Sequence, residues 1–175
     1  MAQMQAQGPI QVLQLVIVGK DDVPIFDADL TTRFTQSVSS TSTAGVTAEH
    51  DQEHKPAPGD AAQEPQRPQY LYHFVLHAAL DAMDDAEWAT KDAFLGIVDR
   101  FNNLQVSGYI TPGNRLRLML LHDGRSEENV KTFFRGVHQL LVPLVLNPFF
   151  LPKKRIHSVD FYSRVRRLSK SVFGV

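Results

Sequence analysis

Apolar positions along this chain follow two rhythms, and each predicts its own kind of element. Residues 12–19, "VLQLVIVG", are apolar on both faces, with Leu13, Leu15 and Ile17 on one and Val12, Val16 and Val18 on the other. Such a strand belongs inside a sheet covered on both sides. "KDDVP" reads as a turn, and "VPIFDADL" (23–30) as a second strand in which Phe26, Ala28 and Leu30 alternate with Ile25, Asp27 and Asp29. These two form a hairpin. "FLGIVDRF" (94–101) supplies a third strand. "LQVSGYI" (104–110) and "RLRLMLL" (115–121) flank "TPGN", where Pro112 and Gly113 take the central positions of a type II turn.

The helical rhythm appears in three places. In "QYLYHFVLHAALDAMDDAEW" (69–88), Leu71, Phe74, Val75 and Ala78 form one stripe at 3.6-residue spacing. Tyr72, Leu76, Ala79, Leu80 and Met83 form another beside it, and His73, His77, Asp81 and Asp84 share a polar side. An apolar arc of about 100° is enough to seat a helix on a domain. This one is wider, so one stripe is expected to cover the sheet and the excess to meet another surface. Further on, Ser126 is a candidate N-cap with Glu127 and Glu128 well placed in the first turn. Val130, Phe133, Phe134, Val137, Leu140, Leu141 and Leu144 follow at helical spacing, with Pro143 expected to kink the helix and Pro148 to end it. A last helix, capped by Ser158, has the stripe Phe161, Val165, Leu168 and Val172, and carries Arg164, Arg166, Arg167 and Lys170 opposite.

The predicted order is β-β-α-β-β-β-α-α. That is an α+β domain with a five-stranded antiparallel sheet between one helix and two. Residues 1–11 read as a flexible tail, and 12–175 as a single domain. Residues 31–69 are rich in Ser, Thr, Gln, Pro and acid, and read as a disordered insertion. His50, Asp51, Glu53 and His54 inside it read as a solvated polar tract rather than a metal cluster.

Composition removes more than it adds. There is no cysteine, so disulfides, thiol nucleophiles and thiolate-bound zinc drop out, as fits a reducing compartment. The N-terminus lacks the basic residues and cleavage site of a signal peptide. No apolar run reaches the ~18 residues that span a bilayer, so the chain is expected to be soluble. None of the nucleotide, hydrolase or zinc-protease motifs is present, and no enzyme or cofactor is indicated. His122-Asp123 reads as a strand-end turn. His73, His77 and Asp81 have ligand spacing on one helix face, yet read better as a solvated or partner-facing stripe. Lys153, Lys154 and Arg155, with the cations of the last helix, would suit anionic lipid headgroups or an acidic partner; the plainer reading is the polar face of an amphipathic helix. With a net charge of −1 and no aromatic-basic motif, nucleic acid is not expected.

In order and spacing, "HAALD" (77–81), "VD-x-FN" (98–102), "LHD" (121–123) and "NPFF" (147–150) resemble the sedlin family of small TRAPP vesicle-tethering subunits. The resemblance covers about residues 12–30 and 70–172, and the unbroken "LHD" and Trp88 fit sedlins better than their sedlin-like paralogues. It implies a longin, profilin-like fold, and a non-catalytic adaptor in a complex that acts as exchange factor for a Rab GTPase. Endoplasmic reticulum to Golgi transport and autophagy are the processes implied. The chain would sit at an end of the core and join it to larger, complex-specific subunits. Expected partner-facing residues are Tyr72, Leu76, His77, Leu80, Asp81 and Met83 on the helix, and Asn147, Phe149, Phe150, Lys153 and Arg155 after the next one. The alternative is a self-sufficient longin module recognising a SNARE or a small GTPase; the absence of heptads and an anchor before Val175 weighs against it. Three features depart from the family pattern: the long 31–69 connection, Pro143, and Tyr162 after Phe161 where the family tends to carry Asp.

Overall fold

The first apolar run forms strand β1 (Leu13–Val18), buried at every position. It pairs antiparallel with β2 (Pro24–Asp29) on one side and with β5 (Arg117–His122) on the other, so that Leu15 lies between Ala28 and Leu120. The computed structural model, which describes residues 12–31, 69–113, 116–151 and 153–174, completes the sheet with β4 (Leu104–Ile110) and β3 (Phe94–Phe101) in the order β2-β1-β5-β4-β3. Every pairing is antiparallel. This is the longin-like arrangement expected from the sequence. The expected tail and, apart from Thr31 and Gln69, the expected insertion with its His50–His54 cluster lie outside the described residues.

Period two in the strands decides which residues meet which helix. Leu13, Leu15 and Ile17 join Leu118 and Leu120 beneath α2 (Glu127–Val145) and α3 (Val159–Phe173), where Phe133, Phe134, Val137 and Val165 are fully buried. Val12, Val16 and Val18 join Val106, Met119 and Leu121 beneath α1 (Gln69–Ala89). Each buried large side chain contributes about 1.5–3 kcal/mol of transfer free energy. The two apolar faces read from the first strand therefore seat two different layers.

Some details differ from the sequence reading. β5 starts at Arg117 and takes in His122, which is buried rather than lying in a turn. Gly113 has φ +86, the left-handed value a type II turn needs at its third residue. α2 runs through Pro143 and stops at Val145, ahead of Pro148. Pro143 forfeits one N–H in the last turn, where little of the helix remains to be disturbed. Ser126 occupies the N-cap of α2 without a side-chain bond, whereas the Ser158 hydroxyl accepts the Phe161 N–H at 3.2 Å. On α3 the buried line is Phe161, Val165, Ser169 and Phe173, with Leu168 and Val172 half-buried beside it. Ser169 fits there because its hydroxyl bonds to the Arg166 carbonyl at 2.9 Å.

Both edges of the sheet are irregular. The β1–β2 register skips Ile25, whose carbonyl accepts the Ile156 N–H at 2.7 Å from the segment before α3. On the other edge β3 slips register between Phe94 and Gly96 and again between Ile97 and Asp99, with Gly96 at φ +74.

Candidate functional site

The side of α1 turned from the sheet is the first candidate surface. Val75, Leu76, Ala79, Leu80 and Met83 are buried against β1, β4 and β5. At 100° per residue they span an arc of about 140°, which is the whole face the sheet can take. This corrects the expectation for Leu76, Leu80 and Met83: they belong to the core and cannot reach a partner. Tyr72 is half-buried and packs on the same cluster. On the opposite side Tyr70, Phe74, His77, Asp81 and Trp88 fall on one line along the helix and are all exposed. Tyr70 is 75% exposed, Phe74 66% and Trp88 91%.

The predicted polar side is divided by the fold. The Nε2–H of His73 donates to Asp27 of β2 at 2.6 Å, and the buried Gln14 amide donates to the same carboxylate at 3.0 Å. Asp84 accepts from Arg117 of β5 at 2.8 Å, and the other guanidinium nitrogen reaches Asp22 in the β1–β2 turn. These pairs fix the roll of α1 over the sheet. Half-exposed pairs of this kind are worth no more than about 1 kcal/mol each, so their effect is on orientation more than on stability. His77 and Asp81 have no ion pair or hydrogen bond among the described residues. With His73 held by Asp27, the ligand spacing His73-His77-Asp81 is broken, and no group of three metal-ligating side chains occurs among the described residues.

The second candidate surface is the turn between α2 and α3. The Asn147 side chain accepts the Phe149 N–H at 3.0 Å and its carbonyl accepts the Phe150 N–H at 2.9 Å. This folds the chain so that the two phenylalanines part. Phe150 packs on the core, while Phe149 is 88% exposed. Leu146 and Leu151 are exposed alongside it. Lys153 pairs with Asp21 at 2.7 Å, which raises the lysine pKa and lowers that of the carboxyl through the hydrogen bond they share. Lys154 and Arg155 are exposed, and Arg155 lines an open cleft of about 290 Å³ with Ile25, Phe26 and Tyr162.

Two further groups are chemical in kind but structural in setting. His122 accepts the Arg125 N–H on Nδ1 at 3.1 Å, so its proton sits on Nε2 and is donated to Ser107 at 2.9 Å. Burial, and then the nearby Arg125 charge, lower its pKa to about 4. Tyr109 lies 3.0 Å from His138 and stacks on Phe134; burial raises its pKa, opposed by Arg135. Ser107 and His122 are 2% and 1% exposed, so the one hydroxyl against the imidazole is closed off from solvent by core packing.

Comparison with known proteins bears on these surfaces. A family model described as Sedlin matches residues 17–171, from within β1 to within α3. The chain belongs to the Sedlin family. The transport protein particle 20 kDa subunit of Schizosaccharomyces pombe is 34% identical over 101 residues, which covers 58% of this chain and 74% of that protein. A probable trafficking protein particle complex subunit 2 of Caenorhabditis elegans is 36% identical over 81 residues, covering 46% and 57%. Its Drosophila melanogaster counterpart is 34% identical over 92 residues, covering 53% and 66%. In this Sedlin-family chain the exposed α1 line was only partly foreseen. Tyr70, Phe74 and Trp88 were missed, although all three fall on the line through His77 and Asp81 once the helical wheel is carried to the ends of α1.

Proposed function

We propose that this chain is a non-catalytic adaptor subunit of a trafficking protein particle (TRAPP) complex, joining the core to larger, complex-specific subunits. It would serve endoplasmic reticulum to Golgi transport and autophagy from the cytoplasm, peripherally at those membranes, with a Rab GTPase as an indirect partner. Relatives named as subunits of such particles support the reading. The observation that carries it is the α1 line, where a carboxylate with no partner among the described residues stands between exposed aromatics. Exposed aromatic anchors of this kind are enriched at interface centres. Among the described residues, no helix is long and apolar enough to cross a membrane.

The test is mild affinity purification of the tagged protein from its own cells, with Asp81→Tyr beside the wild type. Wild type should recover core and large subunits, and the variant should lose the large ones selectively. A wild-type chain that runs only as a free monomer would sink the reading. Nucleotide-sensitive binding of a GTPase by that monomer would put the longin binding module in its place.

A further inference from the structure

We propose that the α2–α3 turn and the outer face of α3 form a docking surface for an anionic bilayer, separate from the α1 line. Two observations converge. The first is the protrusion of apolar side chains without a groove: Leu146 and Phe149 stand out from the end of α2 at 75% and 88% exposure, with Leu151 exposed beside them. The Asn147 turn aims Phe149 outward while its neighbour Phe150 holds the turn to the core, so this exposure is imposed by the backbone.

The second is the charge that follows it along the chain. Lys154 and Arg155 follow it directly. On α3, Arg166, Arg167 and Lys170 lie on the side opposite the buried Phe161 and Val165. None of these five cations has an acidic partner among the described residues. Asp21 is engaged by Lys153, and Asp160 by Arg164 at 2.9 Å.

Protruding apolar side chains on a connection that continues into exposed cations and a cationic helix face fit a bilayer of anionic lipid. The apolar tips enter the headgroup–acyl boundary while the cations remain in the negative surface potential. An acidic protein would satisfy the cations equally well, but would need a pocket of its own for Phe149, whereas a bilayer accepts a convex tip. The occupant argued for here is therefore the membrane.

The experiment is flotation of the full-length protein with vesicles of phosphatidylcholine alone, and with about one third phosphatidylserine, at low and near-physiological salt. Binding should require phosphatidylserine and weaken with salt. Arg166→Glu/Arg167→Glu should lower it at least tenfold, and Phe149→Ser by several-fold. All three positions are exposed, and unchanged thermal melting of the variants would show that the fold is intact. Wild-type binding that ignores phosphatidylserine, or that survives both sets of substitutions, would overturn the proposal. No vesicle binding even at low salt would also overturn it and assign the cations to an acidic protein surface. Neither result touches the Asp81 reading, which rests on another helix and is read from subunit recovery.

Discussion

Asp84 near the end of α1 and Arg117 at the start of β5 are joined by an ion pair of 2.8 Å, although 33 residues separate them in sequence. The Arg117 side chain is only 11% exposed, and its second branch holds Asp22. One guanidinium thus ties a helix, a strand and a turn. Arg117→Ala should lower stability by about 1–2 kcal/mol, part of it lost stem packing, because both carboxylates are half-exposed and recover solvation. Denaturant midpoints of the two proteins would check this, and the difference should shrink with added salt.

Acid should act through His122. Its folded pKa of about 4 lies below the ordinary histidine value of 6.5, so the unfolded chain binds more protons between those pH values. Stability from this site is therefore intact above pH 6.5 and is lost progressively as pH falls toward 4. The full loss is of the order of 3 kcal/mol. The difference in stability between wild type and His122→Gln, followed across that window, should narrow toward acid. A histidine proton resonance that fails to titrate near neutrality would be the direct sign.

The two sides of α1 should separate stability from assembly. Leu76→Ala opens a hole among Val16, Met119 and Leu121 and should cost about 2–5 kcal/mol. Trp88→Ala should change stability by no more than about 0.5 kcal/mol. Thermal melts would show the contrast. Recovery of partner subunits should follow the reverse order, provided that Leu76→Ala is assayed below its melting temperature.

Ser126 and Ser158 look alike as caps in sequence, since each precedes a helical pattern. Only Ser158 makes the side-chain bond. Ser158→Ala should therefore cost about 1 kcal/mol, and Ser126→Ala close to nothing. Matched chemical denaturation of the two variants decides it.

That pair marks where sequence reasoning ran out. Strand identity was legible because alternation such as Phe26, Ala28, Leu30 leaves few other conformations. The double-faced β1 announced helices on both sides of the sheet. The roll of α1 was not legible, because Leu71 and Tyr72 sit at the margins of its apolar arc and only the sheet decides which margin is covered. Leu76, Leu80 and Met83 were misplaced for that reason. The split between Phe149 and Phe150 depends on one Asn147 hydrogen bond, which no periodicity encodes. Asp81 and His77 were identified as residues, but their lack of partners among the described residues became visible only once His73 and Asp84 were seen to be engaged.

The broken register at both sheet margins has a consequence for how such a molecule can be counted into an assembly. A long straight margin would let copies add to one another through their backbones, without limit and without regard to side chains. Here one margin is stitched to its own chain through Ile25 and Ile156, and the other is bent twice around Gly96. Association is left to side-chain surfaces, where sequence can dictate both the neighbour and the number of copies. The chain can join a larger body while remaining a poor seed for fibres.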